Sequence, residues 1–313
     1  MYKVLIPQEV SVKGIEYLEA NGCECILLED CSVENICKNV ADCDAILARN
    51  TMFPKEVADA GKKLKIVARH GVGFDNIDVK AFTDKGIKVT LTPGANSNSV
   101  AEHTIALILA CAKNIPFFDE NTRLGNWSLG DTVRTIDVLD KTLGIVGCGS
   151  IGRLVAQKAA LGLGMKVIAY DAFPIKDKPD YITVCDNMDE IFEKSDFVSL
   201  HLPLTPDTRK IVNKDKFEMM KSSAYFINAA RGGSVDEDDL YEALLNKTIA
   251  GAALDVYELD PPEKDNKLFT LDNIIVTPHN AAHSVDSMDR MAFNAAREIV
   301  RVLNGEEPLW EIK

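Results

Sequence analysis

The chain has 313 residues, 46% of them hydrophobic and 27% charged, with a formal net charge of −13. That length suits about two domains of ordinary size, and the acidic balance excludes sequence-independent nucleic-acid binding, which rests on a basic face. No apolar run approaches the roughly 18 residues of a membrane span or the pattern of a secretory leader, so a cytoplasmic protein without membrane attachment is expected.

The first hundred residues alternate two kinds of segment. Lys3 to Ile6, Cys23 to Leu28, Ala45 to Ala48, Lys65 to Ala68 and Lys88 to Thr90 are apolar runs short enough for buried parallel strands. Between them the spacings Val12, Ile15 and Leu18, then Val33, Ile36 and Val40, then Val57 with Ala60, then Val79 to Lys85 closed by Gly86, predict helices. Such βαβ repetition predicts a doubly wound parallel sheet. Ligand contacts in these sheets come from loops past the carboxyl ends of strands. That rule nominates Arg49-Asn50-Thr51 and Arg69-His70-Gly71-Val72-Gly73. Arg49 and Arg69 could grip a substrate phosphate or pair with the chain's many acids. Five of the eight cysteines fall within the first 43 residues. They form no Cys-x-x-Cys pair and have no His near them in sequence, so small buried hydrophobes in a reducing compartment are expected, with no metal.

Pro93 to Ser99 is a polar, turn-rich link that caps an apolar helix from Val100 to Cys111, which makes it the natural domain boundary. The stretch Asn114 to Asp140, with Phe117, Phe118, Gly125, Trp127 and Gly130, predicts an irregular excursion suited to packing on a partner subunit, hence a homodimer.

Next, the apolar run Leu143 to Val146 opens into Gly147-Cys148-Gly149-Ser150-Ile151-Gly152, followed by a helical pattern to Leu163 and a strand Lys166 to Tyr170. Gly147 permits the tight turn, Gly149 lets backbone approach a pyrophosphate, and Gly152 packs helix on strand, so a diphosphate can sit on the free N–H groups of the helix. Asp171 ends the second strand, where a carboxylate meets the adenosine ribose hydroxyls. Ala172 and Phe173 follow it rather than Arg, which favours NAD over NADP. Cys148 sits where a helix N-terminus can lower a thiol pKa, although apolar filling is the commoner role. Further strands are expected at Phe197 to Leu200, Tyr225 to Asn228, Ile249 to Asp255 and Ile274 to Thr277, six in this half. The amphipathic helix Ser284 to Leu303 should return to the first domain. Only the tail Asn304 to Lys313 follows, leaving no room for an appended regulatory domain.

Oxidation of a secondary alcohol by nicotinamide needs a base for the hydroxyl proton and a cation for the substrate. Three strand-end loops offer candidates: Asn228 to Gly233 with Arg231, Asp255 to Asp260, and Thr277-Pro278-His279-Asn280. A lone His or Arg on a loop is ordinarily surface polarity, and the order Arg, acid, His behind a glycine fingerprint is what raises these above it.

With Gly71-Val72-Gly73-Phe74-Asp75-Asn76, Ala101-Glu102-His103-Thr104, His201-Leu202-Pro203-Leu204, Leu254-Asp255-Val256-Tyr257 and Thr277-Pro278-His279 added, nearly the whole chain resembles the D-isomer-specific 2-hydroxyacid dehydrogenases, in their D-3-phosphoglycerate dehydrogenase-like branch. The resemblance implies a Rossmann NAD-binding domain, residues 98–284, inserted into a flavodoxin-like substrate domain, residues 1–97 and 285–313, with a cleft that closes on substrate. By position it makes Arg231 the carboxylate-binding, carbonyl-polarising residue, His279 the general acid/base, and Asp255 the acid at the nicotinamide end. It gives Val72 and Gly73 backbone N–H contacts to substrate carboxylate, alongside Arg49 and Arg69. Cofactor contacts fall on Val72, Gly147, Gly149, Ser150, Ile151, Gly152 and Asp171, then His201, which lines the adenine side, with Leu202 and Pro203. Ala229, Ala230, Arg231, Asp255, His279 and Ala281 complete that set. His103 is assigned to capping or packing. One departure is visible: the family carries Glu five residues after the matched Asp, paired with the catalytic His, whereas this chain has Asp260, one methylene shorter.

The implied activity is hydride transfer between NAD(H) and a small D-2-hydroxy acid or its 2-keto acid. The first expected pair is 3-phosphoglycerate and 3-phosphohydroxypyruvate, as in serine biosynthesis, with glyoxylate, hydroxypyruvate or another 2-keto acid as the alternative. An NADH-sensing protein like the corepressors that share this fold is the reading of a different class, opposed by the lack of a basic surface.

Overall fold

The computed structural model describes residues 1–312. Lys313, at the end of the expected substrate domain, lies outside the described residues. Two compact units are present: Met1–Ser97 together with the chain from Ala282 onward, and Asn98–Ala281.

The first unit holds strands β1 (Tyr2–Ile6), β2 (Cys23–Leu27), β3 (Ala45–Ala48), β4 (Ile66–Arg69) and β5 (Lys88–Thr90) in the order β2-β1-β3-β4-β5, all parallel. This is the flavodoxin-like order. Side chains alternate across the pleat, so each strand feeds two cores. Val4, Ile6, Leu47, Ile66 and Ala68 pack with Ala292, Ala295, Ala296, Ile299 and Leu303 of the helix Val285–Leu303. Leu5, Ile46, Ala48, Val67 and Val89 pack on the opposite side with Ile36, Val40, Phe53, Val57 and Phe82. Both faces are covered, which is why these strands read as continuous apolar runs. The tail is ordered into the sheet: Ile312 donates to Val89 O (2.8 Å) and Leu91 to Trp310 O (3.1 Å), with an antiparallel bridge between Thr90 and Glu311. The buried Glu298 holds it, its Oε2 accepting from Leu309 N (2.7 Å) and Trp310 N (3.1 Å).

The second unit holds β6 (Thr142–Val146), β7 (Lys166–Tyr170), β8 (Ile182–Val184), β9 (Phe197–Leu200), β10 (Tyr225–Asn228), β11 (Gly251–Leu254) and β12 (Ile274–Val276). Their order, β12-β11-β10-β9-β6-β7-β8, is fully parallel and doubly wound outward from β6. The sequence suggested six strands; the seventh, β8, is a three-residue edge with only Ile182 buried, too short and too polar to register as an apolar run. The stretch after Asn114 is helical rather than irregular, with helices Ile115–Arg123 and Leu129–Thr132. Neither buries a residue in this chain, so neither shows a core-facing stripe. Asn114 breaks the preceding helix, Ser97–Lys113, by taking a left-handed backbone (φ 52°), which Asn tolerates.

Gly14 lies in the helix Val12–Ala20, where an added Cβ would stand 2.9 Å from both Ala292 Cβ and Ala292 O. Gly14→Ala is therefore expected to destabilise the protein by about 1–2 kcal/mol, overpacking outweighing the better helix propensity of Ala. A urea midpoint at or above wild type would show that the two helices separate without cost.

Candidate active site

Each glycine of the loop after β6 answers a separate constraint. Gly147 has φ +95°, and a Cβ there would meet His201 O at 2.7 Å. At Gly152 a Cβ would stand 2.2 Å from Gly147 O. Gly149 differs, because its missing Cβ faces open space. It occupies the N-cap of the helix Ser150–Gln157 without any side-chain cap, leaving the first N–H groups of the helix for an anion. Ser150 and Ile151 form the first turn of that helix. A dinucleotide diphosphate fits this cradle. Asp171 braces it: Oδ2 accepts from Cys148 N (2.7 Å) and Oδ1 from Phe173 N (3.0 Å). The Cys148 thiol is buried and its pKa is raised, burial outweighing the opposing Arg153, so it fills space and is not an activated thiol.

Across the sheet from β6, His201 follows β9, its backbone N–H on Val146 O (2.8 Å) and its Nε2 paired with Ser199 Oγ (3.0 Å). Burial pushes its pKa down to about 4, so the ring is neutral at physiological pH. Leu202 and Pro203 continue this loop.

The loop after β10 presents Arg231. Asn228 at the strand end is buried; its Oδ1 accepts from Ala230 N (3.0 Å) and its Nδ2 donates to Arg231 O (3.0 Å). That i to i+2 bond is the local turn Asn makes with its own backbone, a signal the sequence did contain. Arg231 is extended (φ −144°, ψ 128°) and half-buried, with Nη1 donating to Ala230 O (2.7 Å). Gly232 explains the glycine that follows: a Cβ there would stand 1.9 Å from the carbonyl carbon of Tyr257. The Arg231 loop therefore lies directly against the loop after β11.

That second loop runs from Asp255 to Asp260 and reaches the third, after β12. Asp255 is wholly buried. Its Oδ1 accepts from Thr277 Oγ1 (2.6 Å) and Asn280 N (3.0 Å), and its Oδ2 from Ala281 N (2.9 Å). His103 joins them, with Nε2 3.2 Å from Thr277 Oγ1 and 3.6 Å from Asp255 Oδ1. The Tyr257 hydroxyl donates to Thr277 O (2.9 Å), and its pKa is pushed up to about 12 by burial, then by Asp255 and Asp260. Between these anchors His279 takes a left-handed backbone, φ +52°, which costs a non-glycine residue about 1–2 kcal/mol. Its Nδ1 is hydrogen-bonded to Asp260 Oδ2 despite the shorter side chain. That bond leaves Nε2, on a half-exposed ring, as the nitrogen for proton exchange. Asn228, Tyr257 and Thr277 enter the sequence reading only as members of their motifs, and His103 only as a capping or packing residue.

In the first unit the loops after β3 and β4 bring Arg49, Arg69, Val72 and Gly73 together. Thr92 N donates to Gly71 O (2.9 Å) and Gly71 N to the Thr92 hydroxyl (2.9 Å), and Asn76 Nδ2 donates to Arg49 O (2.9 Å) and Thr51 O (2.6 Å). Arg69 is turned onto its own loop, donating from Nε to Gly73 O (2.7 Å), from Nη1 to His70 O (2.7 Å) and from Nη2 to Asn50 Oδ1 (3.3 Å). Arg49 Nη1 donates to Glu9 O (3.0 Å). His70 is 3% exposed, and its pKa is pushed down to about 4 by burial, then by Arg49 and Arg69.

The chain is similar to known proteins over nearly its whole length. The family of D-isomer specific 2-hydroxyacid dehydrogenases, NAD binding domain, matches residues 105–281. D-3-phosphoglycerate dehydrogenase of Methanocaldococcus jannaschii is 40% identical over 309 residues, 98% of this chain. The chain spans only 58% of that relative's length. Hydroxypyruvate reductase of Thermotoga maritima is 40% identical over 273 residues, covering 86% of this chain and 88% of the relative. A crystal structure of a Thermus thermophilus protein superposes with a TM-score of 0.93 at 32% identity, over 99% of this chain and 100% of that one.

The burial of His70 gives a pH prediction. With a folded pKa of about 4, below the ordinary 6.5, the unfolded chain binds more protons between those values, so stability is full above pH 6.5 and falls as pH drops toward 4. The loss amounts to roughly 3 kcal/mol from this group. His70→Gln should flatten that part of the dependence, read from urea midpoints at pH 7 and pH 4.5. Parallel losses in both proteins would assign the acid sensitivity elsewhere.

Proposed function

This chain belongs to the D-isomer specific 2-hydroxyacid dehydrogenase family, and from that premise we propose that it is an NAD-dependent oxidoreductase interconverting a small D-2-hydroxy acid and its 2-keto acid. The observation that carries the reading is the paired His279 and Asp260 on the loops after β12 and β11, with Arg231 on the loop after β10. NAD held at the glycine loop supplies the hydride acceptor, or as NADH the donor.

The chain's own residues then do the rest. Arg231 binds the substrate carboxylate and polarises the carbonyl. In the reductive direction His279 gives the proton on Nε2 to the carbonyl oxygen as negative charge develops there; in the oxidative direction it removes the hydroxyl proton. Asp260 holds Nδ1–H, which fixes the tautomer and the ring plane and stabilises the imidazolium. A carboxylate at Asp171 favours ribose hydroxyls over a 2′-phosphate, hence NAD over NADP.

As substrate we propose 3-phosphoglycerate and 3-phosphohydroxypyruvate, with Arg49 and Arg69 as the cations a phosphate requires. One observation favours the second reading, an unphosphorylated acid such as hydroxypyruvate or glyoxylate: Arg69 directs its donors at Gly73, His70 and Asn50. We further propose a cytoplasmic homodimer that uses the helices Ile115–Arg123 and Leu129–Thr132; the exposed Ile115, with Leu124 and Trp127 in the connection between the helices, supports an interface role.

NADH oxidation with a panel of 2-keto acids tests the reading. Turnover of 3-phosphohydroxypyruvate alone would select the first substrate, and a preference for hydroxypyruvate or glyoxylate the second. Absence of turnover with NADH bound would remove the enzymatic reading in favour of NADH sensing. His279→Ala and Arg231→Ala should each lower kcat/KM by about 10²–10⁴ with NADH affinity retained; wild-type rates in both would remove the mechanism. Asp171→Ala should weaken NADH more than NADPH, and equal use of both cofactors by the unmodified protein would contradict the ribose assignment.

A further inference from the structure

The acid expected at the nicotinamide end has a different setting. Asp255 is wholly buried, and its carboxylate is surrounded by donors from its own unit: the Thr277 hydroxyl and Asn280 N–H on Oδ1, the Ala281 N–H on Oδ2, with His103 Nε2 3.6 Å away. Two of those donors are the successive N–H groups that follow His279, the residue with the left-handed backbone. Successive N–H groups turned the same way form a concavity for an anion, and here the anion is supplied by the chain itself.

We propose that Asp255 is a positioning residue for His279: its carboxylate locks the left-handed turn at His279, and Asp260 then orients the ring that this turn has placed. Neither task can stand in for the other. Asp260 reaches Nδ1 and sets the rotation of the imidazole. Asp255 meets the backbone that follows His279 rather than its ring, and sets where the Cα–Cβ bond of His279 points. Thr277 and His103 complete the clamp, Thr277 by donating to the carboxylate and His103 by contacting both. The left-handed conformation at His279 is costly for a residue other than glycine, and the hydrogen bonds to Asp255 offset that cost. The proposal rests on the reading of His279 as the acid/base.

The test is a double-mutant cycle in the full chain, with Asp255→Asn, His279→Ala and the pair, reading kcat at saturating NADH and the NADH Kd by fluorescence. Asp255→Asn keeps the volume but sets an amide NH2 against a backbone N–H. It is expected to lower kcat about 100-fold, the scale of a misplaced catalytic group, with the NADH Kd within threefold of wild type. In the His279→Ala background it should change the residual rate less than threefold, because there is no longer a ring to place. A kcat near wild type with NADH Kd raised tenfold or more would overturn the proposal and make Asp255 a cofactor contact. So would a full 100-fold loss in the His279→Ala background. Wild-type turnover in His279→Ala alone would instead sink the acid/base reading. If Asp255→Asn does not fold, Thr277→Val decides. It removes one donor to the same carboxylate, and should lower kcat about tenfold at unchanged NADH Kd; no change in kcat would overturn the proposal.

Discussion

A wholly buried carboxylate organises the reactive end of the second unit. A charge at this depth is tolerated only when hydrogen bonds replace its lost water, and Asp255 obtains them from one hydroxyl and two backbone N–H groups of the loop after β12. The requirement acts in both directions. The carboxylate needs the loop for solvation, and the loop needs the carboxylate to hold a backbone angle unfavourable for histidine. Fully satisfied buried polar networks specify one arrangement more sharply than apolar packing does, and a proton-transferring nitrogen requires that sharpness.

Steric closeness does comparable work elsewhere. Gly147, Gly152 and Gly232 each stand where a single methyl group would enter the backbone of a neighbouring segment. Gly147 seats the glycine loop on the His201 backbone, Gly152 seats the helix Ser150–Gln157 on β6, and Gly232 seats the Arg231 loop on Tyr257. Parallel sheet order then gathers the carboxyl ends of β6, β9, β10, β11 and β12 on one side of the unit.

Much of this was legible in the sequence because it follows from periodicity and from single residues with one physical use. The strands of both sheets are covered on two faces, so they read as unbroken apolar runs; β8 is half-polar and at an edge, so it does not. The helices from Ile115 to Thr132 bury nothing within the chain and so leave no periodic trace. The short Asp260 was recognised as a departure in length, yet its reach to His279 depends on how two loops approach each other, which no spacing encodes. Arg69 shows the same limit: its charge is visible in the sequence, but its commitment to Gly73, His70 and Asn50 arises from the curvature of the loop after β4. The hydrogen bonds of Asp255 to Thr277, Asn280 and Ala281 are beyond reach of the sequence for an equivalent reason, since an acid at a strand end looks the same whatever its carboxylate meets.

The contact between Gly232 and Tyr257 also bears on modularity. With the missing Cβ of one loop occupied by the main chain of the next, the segment that carries Arg231 and the segment that leads to Asp260 share a single moulded surface. A chimera that imports the arginine loop without its neighbour therefore brings together two backbones cut to different moulds. The loops after β3 and β4 of the first unit are held instead by side-chain hydrogen bonds, which single substitutions can rewire.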